Sequence, residues 1–207
     1  MIKLLGRQTS GNVQKVLFCL EEIGVPYTRE DYGRQFGNTQ SAEYKALNPT
    51  SKVPTLVDGD VVIWESNTIL RYLAATKAEG LTGATPAERT EVERWMDFVL
   101  AAINPGYLAA FKESKLKPEE RSPGYPAAEK DLADQLALVD AHLAGKDFLA
   151  LGKLTIADIA LAPILKRCMD FPITRGPSDN IARWLKGIEA RPAFQTATGA
   201  KPAASAA

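Results

Sequence analysis

The chain has 207 residues, of which 45% are hydrophobic and 24% charged, a composition typical of a globular protein large enough for one large domain or two small ones. Its 25 Lys and Arg residues balance 25 Asp and Glu residues, which argues against nucleic acid as a partner because phosphate binding favours a basic surplus. No run approaches the ~18 apolar residues that span a bilayer, and the N-terminus is too short and polar for a signal peptide, so we expect a cytoplasmic protein with no membrane partner.

The first 76 residues alternate between strand and helix patterns. Apolar residues recur at helical spacing from Val13 to Ile23, and Gly24 ends that pattern. Asp58-Gly59 marks a tight hairpin turn. The predicted elements are a strand over 2–5, a helix over 13–23, a strand from Pro26, a short helix over 43–47, strands over 54–57 and 61–64, and a helix capped by Ser66. This β-α-β-α-β-β-α order predicts a thioredoxin-like domain over residues 1–76.

Strand patterns are absent from the rest of the chain. A linker over 77–85 leads to a helix that begins at Pro86, and Asn104-Pro105-Gly106 is expected to kink or break it. Further helices are predicted over 127–143, 155–169 and 180–190. The sequence thus predicts an α/β domain followed by an all-α domain, a helical bundle over residues 86–197. The tail over 198–207 is expected to be disordered.

Val53-Pro54 directly precedes an apolar strand, where a proline cannot donate to the ladder. One interpretation is a turn proline that opens an edge strand. The other is a cis peptide, which would turn the backbone N–H and C=O of Val53 outward, where an extended peptide could pair with them.

Two further segments place small polar residues at predicted helix starts. Ser66 is expected to cap its helix, and a helix N-terminus with a serine hydroxyl also suits a carboxylate, while Glu65 suits an ammonium. Together they fit the head group of an α-amino acid. Thr9-Ser10-Gly11-Asn12 is explained by capping alone, but such a site also stabilises a thiolate, and the thiol would have to arrive with a ligand.

Cysteine and histidine add no further chemistry at this stage. Cys19 and Cys168 lie in apolar helical patterns without a CxxC pair, which predicts reduced, buried thiols. The single histidine, His142, has no neighbour at metal-ligand spacing, so no metal site is expected.

Taken in order, these segments resemble the soluble glutathione transferase superfamily over roughly residues 2–197. The residues that carry the resemblance are Ser10-x-Asn12-Val13-Gln14-Lys15-Val16, Asn48-Pro49-x-x-Lys52-Val53-Pro54-Thr55-Leu56, Glu65-Ser66-x-x-Ile69-Leu70-x-Tyr72-Leu73 and Leu154-Thr155-Ile156-Ala157-Asp158-Ile159-Ala160. The last segment is independently a capping box, Thr155 with Asp158, and Leu154 with Ile159 forms a hydrophobic staple, so Asp158 is interpreted as structural.

The resemblance implies roles for most of these residues. Ser10 corresponds to the hydroxyl that hydrogen-bonds the glutathione sulfur in the serine-type theta and phi classes, with Thr9 and Asn12 as alternatives. Val53, followed by Pro54, would pair with the cysteinyl backbone of glutathione, while Glu65 and Ser66 would hold its γ-glutamyl amine and carboxylate. Lys52 and Thr39 would address its glycine carboxylate. No tyrosine or cysteine occurs in the first strand–helix loop, and Ser51 stands where glycine is common.

The expected function is therefore transfer of glutathione, as co-substrate, to a hydrophobic electrophile, with detoxification as its role and a homodimer as its assembly. In the family the second substrate lies between the domains, and Tyr107 and Phe111 are the residues proposed to line that pocket. Alternatives are a glutathione-dependent peroxidase, dehalogenase, isomerase or ether-cleaving enzyme and, in another class, a non-catalytic scaffold or chaperone-like relative. The Lys52, Val53-Pro54 and Glu65-Ser66 set argues against the scaffold, which needs no amino-acid site.

Overall fold

A computed structural model describes residues 1–200 of the chain. It contains two compact units, one formed by Met1–Thr82 with the described residues from Glu189 onward, the other by Gly83–Ile188. Of the tail over 198–207 that is predicted to be disordered, residues 201–207 lie outside the described residues, and Thr198 is the last residue of a helix.

The first unit has a four-stranded mixed sheet in the order β2-β1-β3-β4, in which β1 and β2 are parallel and the other neighbours antiparallel. The predicted β-α-β-α-β-β-α order is confirmed. Its elements are β1 (Ile2–Leu5), α1 (Gly11–Ile23), β2 (Tyr27–Glu30), α2 (Ala42–Leu47), β3 (Thr55–Asp58), β4 (Val61–Trp64) and α3 (Ser66–Lys77).

Local sequence explains the boundaries of these elements. Gly24 adopts φ 65°, and its N–H group bonds to the carbonyl oxygens of Glu21 and Leu20, which ends α1 as predicted. Asp58 pairs with Val61, so the two-residue hairpin turn is Gly59-Asp60. The apolar residues of α1 from Val13 to Leu20 are buried, and the helix packs against α3.

A helix near the end of the chain belongs to this first unit. Helix α9 (Pro192–Thr198) packs against α1, with the rings of Phe18 and Phe194 edge to face at 5.2 Å. The Arg191 guanidinium bonds both carboxylate oxygens of Glu22. The predicted helical domain had included this segment up to residue 197. The structure differs because the Phe194 ring packs against Phe18 on α1.

The second unit consists of helices α4 (Pro86–Phe98), α5 (Asn104–Glu113), α6 (Tyr125–His142), α7 (Ile156–Asp170) and α8 (Asp179–Glu189), the last ending one residue beyond the unit's boundary. The expected break at Asn104-Pro105-Gly106 takes another form. A π-helical segment, Val99–Ile103, joins α4 to α5, and Pro105 lies in the first turn of α5. The wider π turn accommodates a proline that has no N–H group to donate, so the helical path continues.

The predicted capping box of α7 is present. Asp158, which is 0% exposed, accepts hydrogen bonds from the Thr155 backbone N–H (3.0 Å) and hydroxyl (3.1 Å). It also accepts from the Leu149 N–H group at 2.9 Å and from Nε1 of Trp184 at 3.1 Å. Asp158 therefore joins a loop and two helices, which confirms its structural role. Within residues 1–200, no helix has the length and apolarity needed to cross a membrane.

Candidate functional site

One row of residues runs across the end of the sheet and organises the candidate site. Glu30 pairs with Leu5, Leu5 with Thr55, and Thr55 with Trp64. With strands about 4.8 Å apart, this row spans about 14 Å. The segment 6–10 follows Leu5, 31–33 follows Glu30, 53–54 precedes Thr55 and 65–66 follows Trp64. The register thus brings together segments that lie far apart in the sequence.

Val53 lies two residues before Thr55, one of the two middle members of this row. Its peptide bond to Pro54 is cis, as one of the two interpretations predicted. Within residues 1–200, neither the N–H nor the C=O group of Val53 has a hydrogen-bond partner. A Cβ atom added at Gly6 would lie 3.4 Å from the Val53 Cβ, and one added at Gly33 would lie 3.5 Å from its Cγ1. The loops after β1 and β2 therefore approach Val53 closely.

A buried polar cluster fixes the backbone that carries Lys52 and Val53. The Tyr44 hydroxyl and the Asn48 side-chain amide both donate to the Lys52 carbonyl, at 2.5 Å and 3.0 Å. Both groups also contact the Thr55 hydroxyl, at 2.9 Å and 3.0 Å. Sequence reasoning gave Tyr44 no role, although Asn48 belongs to the motif that carries the family resemblance.

The same segment explains the serine found where glycine is common. Ser51 adopts φ 56°, a left-handed conformation that glycine adopts most easily. The Asn48 side-chain oxygen Oδ1 accepts from the Thr50 N–H group at 3.0 Å, and the Ser51 N–H group donates to the Asn48 backbone carbonyl at 3.1 Å. These bonds hold the turn with serine in place of glycine.

Ser10 stands at the N-cap of α1 but does not use its side chain to cap the helix. Its backbone carbonyl accepts from the Gln14 N–H group at 2.9 Å, whereas its hydroxyl makes no capping hydrogen bond. Ser10 is 9% exposed, while Thr9 and Asn12 are exposed side chains beside it. The capping explanation considered for Ser10 is therefore wrong for its side chain.

The start of α3 differs from the prediction by one residue. Ser66 is the first helical residue, and the N-cap is Glu65, which adopts φ 69° with no side-chain capping bond. Such a backbone angle is unfavourable for a residue with a Cβ atom, and strain of this kind concentrates at functional sites. Ser66 is buried and Glu65 is exposed, so a hydroxyl, free helix N–H groups and a carboxylate adjoin at this helix end.

Lys15, on α1, is a charged residue to which sequence reasoning gave no role. It is 1% exposed, and burial lowers its pKa to about 8, an effect that the nearby Glu65 carboxylate opposes. A lysine between apolar positions of a helix gives no sequence signal of burial. Its burial depends on tertiary packing around α1, which contacts both α3 and α9.

The two residues expected to contact the glycine carboxylate of glutathione lie in the segments before β3 and after β2. The side chain of Lys52 is exposed, and Thr39 is buried in a one-turn 3₁₀ helix, Asn38–Gln40. The Asn38 side chain joins that turn to the segment after β2, through bonds with the Gly33 N–H group and the Asp31 carbonyl. No hydrogen bond within residues 1–200 joins Thr39 to another predicted site residue.

In the second unit, three aromatic rings form a cluster. The ring centroids of Tyr107 and Phe111 are 6.2 Å apart, and that of Phe171 lies 5.8 Å from Tyr107 and 6.5 Å from Phe111. Tyr107 is buried, whereas Phe111 is 39% exposed. Sequence reasoning missed Phe171, because one aromatic residue after the end of α7 carries no periodic signal.

The protein's own thiols are buried away from reactive chemistry. Cys19 and Cys168 are free and buried as predicted, and burial raises the pKa of each to about 12, so neither supplies a thiolate. Within residues 1–200, no group of three or more His, Cys, Asp or Glu side chains is arranged to hold a metal ion.

Comparison with known proteins agrees with this geometry. The profile of the glutathione S-transferase N-terminal domain matches residues 9–76, and that of the C-terminal domain matches residues 96–192. The chain is 38% identical to glutathione S-transferase GstB of Escherichia coli K12, over 94% of this chain and 96% of the relative. It is 31% identical to glutathione S-transferase 3 of Zea mays, over 97% and 95%.

A solved structure gives the same result in three dimensions. The theta-class glutathione S-transferase of Xanthomonas axonopodis pv. citri, with glutathione bound, superimposes with a TM-score of 0.88 at 38% identity, over 95% of this chain and 96% of that one. The motifs, the fold, both domain profiles and these relatives lead to one conclusion: the chain belongs to the glutathione S-transferase family of enzymes.

Proposed function

We propose that glutathione lies along the row Glu30–Leu5–Thr55–Trp64 and that the enzyme adds its thiolate to an electrophilic small molecule. The reaction forms a carbon–sulfur bond, and the electron pair displaced from the electrophilic carbon leaves with the departing group or moves along a double bond. The observation that carries the proposal is that the register brings together the segments of Ser10, Val53 and Ser66, which adjoin Leu5, Thr55 and Trp64 of this row. The proposed site lies wholly within residues 1–76, the predicted first domain.

The middle of the peptide would pair with Val53. Its N–H and C=O groups have no partner in the described chain, so an extended cysteinyl residue can add to them like a strand. The polar cluster of Tyr44, Asn48 and Thr55 holds these two groups in place before the ligand arrives. Preorganisation of this kind reduces the ordering required on binding.

Different residues would bind the γ-glutamyl end and the glycine end of glutathione. At the γ-glutamyl end, the carboxylate would accept from Ser66 and the free N–H groups of α3, and the ammonium would face Glu65. At the glycine end, we assign the carboxylate to Lys52 and Thr39, as the family resemblance implies. Lys52 is exposed and free to reach a charged ligand group.

The sulfur would lie at the N-terminus of α1, where Ser10 donates its hydroxyl hydrogen to the thiolate. Support comes from the Ser10 hydroxyl, which leaves the helix uncapped, and from the positive end of the helix dipole. Both effects favour the thiolate over the thiol and lower the pKa of bound glutathione.

Titration of bound glutathione, followed by thiolate absorbance in the ultraviolet, tests this assignment. Ser10→Ala is expected to leave glutathione affinity within about threefold while raising the thiol pKa by about 1–2 units. Thr9→Ala and Asn12→Ala are matched variants of the two alternatives. A normal titration in Ser10→Ala with a raised pKa in either of the others would transfer the role to that residue.

We further propose that Tyr107 and Phe111 present apolar surface to the electrophile. Their support is the aromatic cluster with Phe171, in which Phe111 retains an exposed face. A panel of aromatic and aliphatic electrophiles, with peroxides included, tests it. Phe111→Ala is expected to raise the KM of aromatic electrophiles several-fold and to leave the KM of glutathione unchanged.

A homodimer, a cytoplasmic location and a role in detoxification complete the proposal. Val61, Val62 and Trp64 are exposed apolar side chains on β4, the edge strand of the sheet, and such a patch favours association with a partner surface. Light scattering coupled to size exclusion is expected to give twice the chain mass. A mass equal to one chain would exclude the dimer.

A further inference from the structure

The first loop, residues 6–10 between β1 and α1, is held at its start by β2 and the residue pair that follows it. The Gly6 N–H group donates to the Glu30 carbonyl at 2.8 Å. The Arg7 N–H group donates to the Tyr32 carbonyl at 3.2 Å. These two bonds fix the part of the first loop that lies next to the sheet.

The middle of the first loop is held by α9, from the other end of the chain. Nε2 of Gln8 donates to the Thr196 backbone carbonyl at 2.8 Å, across 188 residues of sequence. Thr196 lies in the last turn of α9, where carbonyl groups lack a partner in the continuing helix. A Cβ atom added at Gly199 would lie 3.6 Å from Nε2 of Gln8, so this side chain lies directly against the C-terminus of α9.

Helix α9 is itself fastened to α1 at two further points. The Phe194 ring packs edge to face on Phe18, and the Arg191 guanidinium pairs with the carboxylate of Glu22, the residue before the last of α1. Gln8 lies three residues before α1 begins. The contacts of α9 therefore run from the C-terminal end of α1, a helix about 20 Å long, to the loop before its N-terminus.

Ser10 follows Gln8 by two residues, so the Cα atoms of the two residues lie at most about 7 Å apart. The Ser10 N–H group donates to the Arg7 carbonyl at 3.1 Å, which closes a turn that contains Gln8. A displacement of Gln8 is therefore passed to Ser10. A catalytic group misplaced by about 1 Å can lose up to about 100-fold in rate, so the position of this turn matters for the Ser10 hydroxyl.

We propose that Gln8 is a positioning residue, which through its bond to Thr196 uses α9 to hold the Ser10 hydroxyl where the glutathione sulfur binds, an inference that rests on the proposed function. Gln8 acts through Ser10 and not on the reacting atoms. The support of the site thereby extends beyond residues 1–76, which contain its proposed contacts, to the last helix of the described chain.

The test begins with Gln8→Met, which retains most of the side-chain volume and removes the donor. Gln8 is only partly buried, so the variant is expected to fold. The pKa of the thiol of bound glutathione, followed by thiolate absorbance, is expected to rise by about 0.5–1 unit, roughly half the rise in Ser10→Ala. Glutathione affinity is expected to stay within about twofold. An unchanged thiol pKa would overturn the proposal, whatever the affinity.

A double-mutant cycle distinguishes positioning from a separate effect on the thiol. In protein that already carries Ser10→Ala, Gln8→Met is expected to raise the thiol pKa by less than about 0.2 unit, because no hydroxyl remains to be positioned. A rise as large as in the unaltered background would mean that Gln8 acts independently of Ser10, and would overturn the proposal.

Gln195→Met is the matched control on the same helix. Nε2 of Gln195 donates to the Glu189 backbone carbonyl at 2.9 Å, a bond of the same kind as that of Gln8 and within the same unit. This variant is expected to leave the thiol pKa unchanged. A rise equal to that of Gln8→Met would assign the effect to general loosening of α9 and would overturn the role of Gln8.

The failure of this inference is distinguishable from the failure of the proposed function. If the unaltered protein does not bind glutathione, or if Ser10→Ala leaves the thiol pKa unchanged, the proposed role of Ser10 is wrong and that of Gln8 falls with it. If Ser10→Ala raises the thiol pKa and Gln8→Met does not, only the role of Gln8 is wrong.

Discussion

The N-termini of α7 and α1 differ in how their polar groups are satisfied. At α7, Asp158 accepts four hydrogen bonds from its surroundings, and the helix start is complete within the protein. At α1, the Ser10 side chain caps nothing, and Lys15, one turn further along, is buried without an ion pair or hydrogen bond in the described chain.

The difference lies in the hydrogen-bond partners that the fold supplies to each buried charge. Burial raises the pKa of Asp158 while its donors lower it, and every donor is a group that the fold itself must satisfy. The charge of Lys15 has no such network. A buried charge that the fold satisfies holds the fold together, whereas one that the fold leaves unsatisfied destabilises it.

The largest effect on stability is expected at Asp158, whose hydrogen bonds are complete within the described chain. Asp158→Ala should lower the free energy of unfolding by about 3–5 kcal/mol, because it leaves buried donors of Thr155, Leu149 and Trp184 without an acceptor. Urea denaturation followed by circular dichroism measures it. Asp158→Asn, which retains one acceptor oxygen, serves as control and should lose less. A loss below about 1 kcal/mol for Asp158→Ala would contradict the structural role.

Lys15→Met should act in the opposite direction. At pH 7 it is expected to raise the free energy of unfolding by about 1–3 kcal/mol, since it removes a buried charge that folding desolvates. Burial lowers the pKa of Lys15 from 10.5 to about 8, so between these values the unfolded chain binds the proton that the folded protein has released. The gain should therefore be full below pH 8 and vanish above pH 10.5, as urea denaturation at pH 7 and pH 10.5 would show. A variant less stable than the unaltered protein at pH 7 would give Lys15 a structural role.

The smallest effects concern two helix caps. Thr85 accepts from the Glu88 N–H group at 3.2 Å in the capping box of α4, so Thr85→Ala should cost about 1 kcal/mol of unfolding free energy. Ser10→Ala should change it by less than about 0.5 kcal/mol, since no capping bond is lost. Thermal unfolding of the two variants side by side compares them. Equal losses would mean that the Ser10 hydroxyl caps α1 in solution.

Much of the fold was predictable because its boundaries carry strong local signals. Gly24, the Asp58-Gly59 pair and the Thr155–Asp158 capping box each act through their immediate neighbours. The structure has the helix end and the capping box in place, and the hairpin turn lies one residue later, at Gly59-Asp60. Helix α9 was not predicted. It has seven residues, of which only Phe194 and Ala197 are buried, too few for a periodic pattern.

The site was predictable only in part, for a related reason. Ser10, Val53 and Ser66 lie in motifs whose chemistry is local, so their residue types pointed to a ligand. Lys15 was missed because its burial depends on how other elements pack on α1, which no spacing within α1 reveals. The helix start also shifted by one residue, since Glu65 adopts a backbone angle that no propensity favours.

The packing of α9 on α1 has a consequence for how the chain folds during its synthesis. The sheet and α1 leave the ribosome first, but the ring that covers Phe18 belongs to Phe194, which emerges more than 170 residues later. Until then the outer face of α1 has no cover, and this contact adds to the mean sequence separation on which folding rates depend. A nascent chain stalled before residue 192 should therefore expose an apolar surface to chaperones, and release of the last helix should close it.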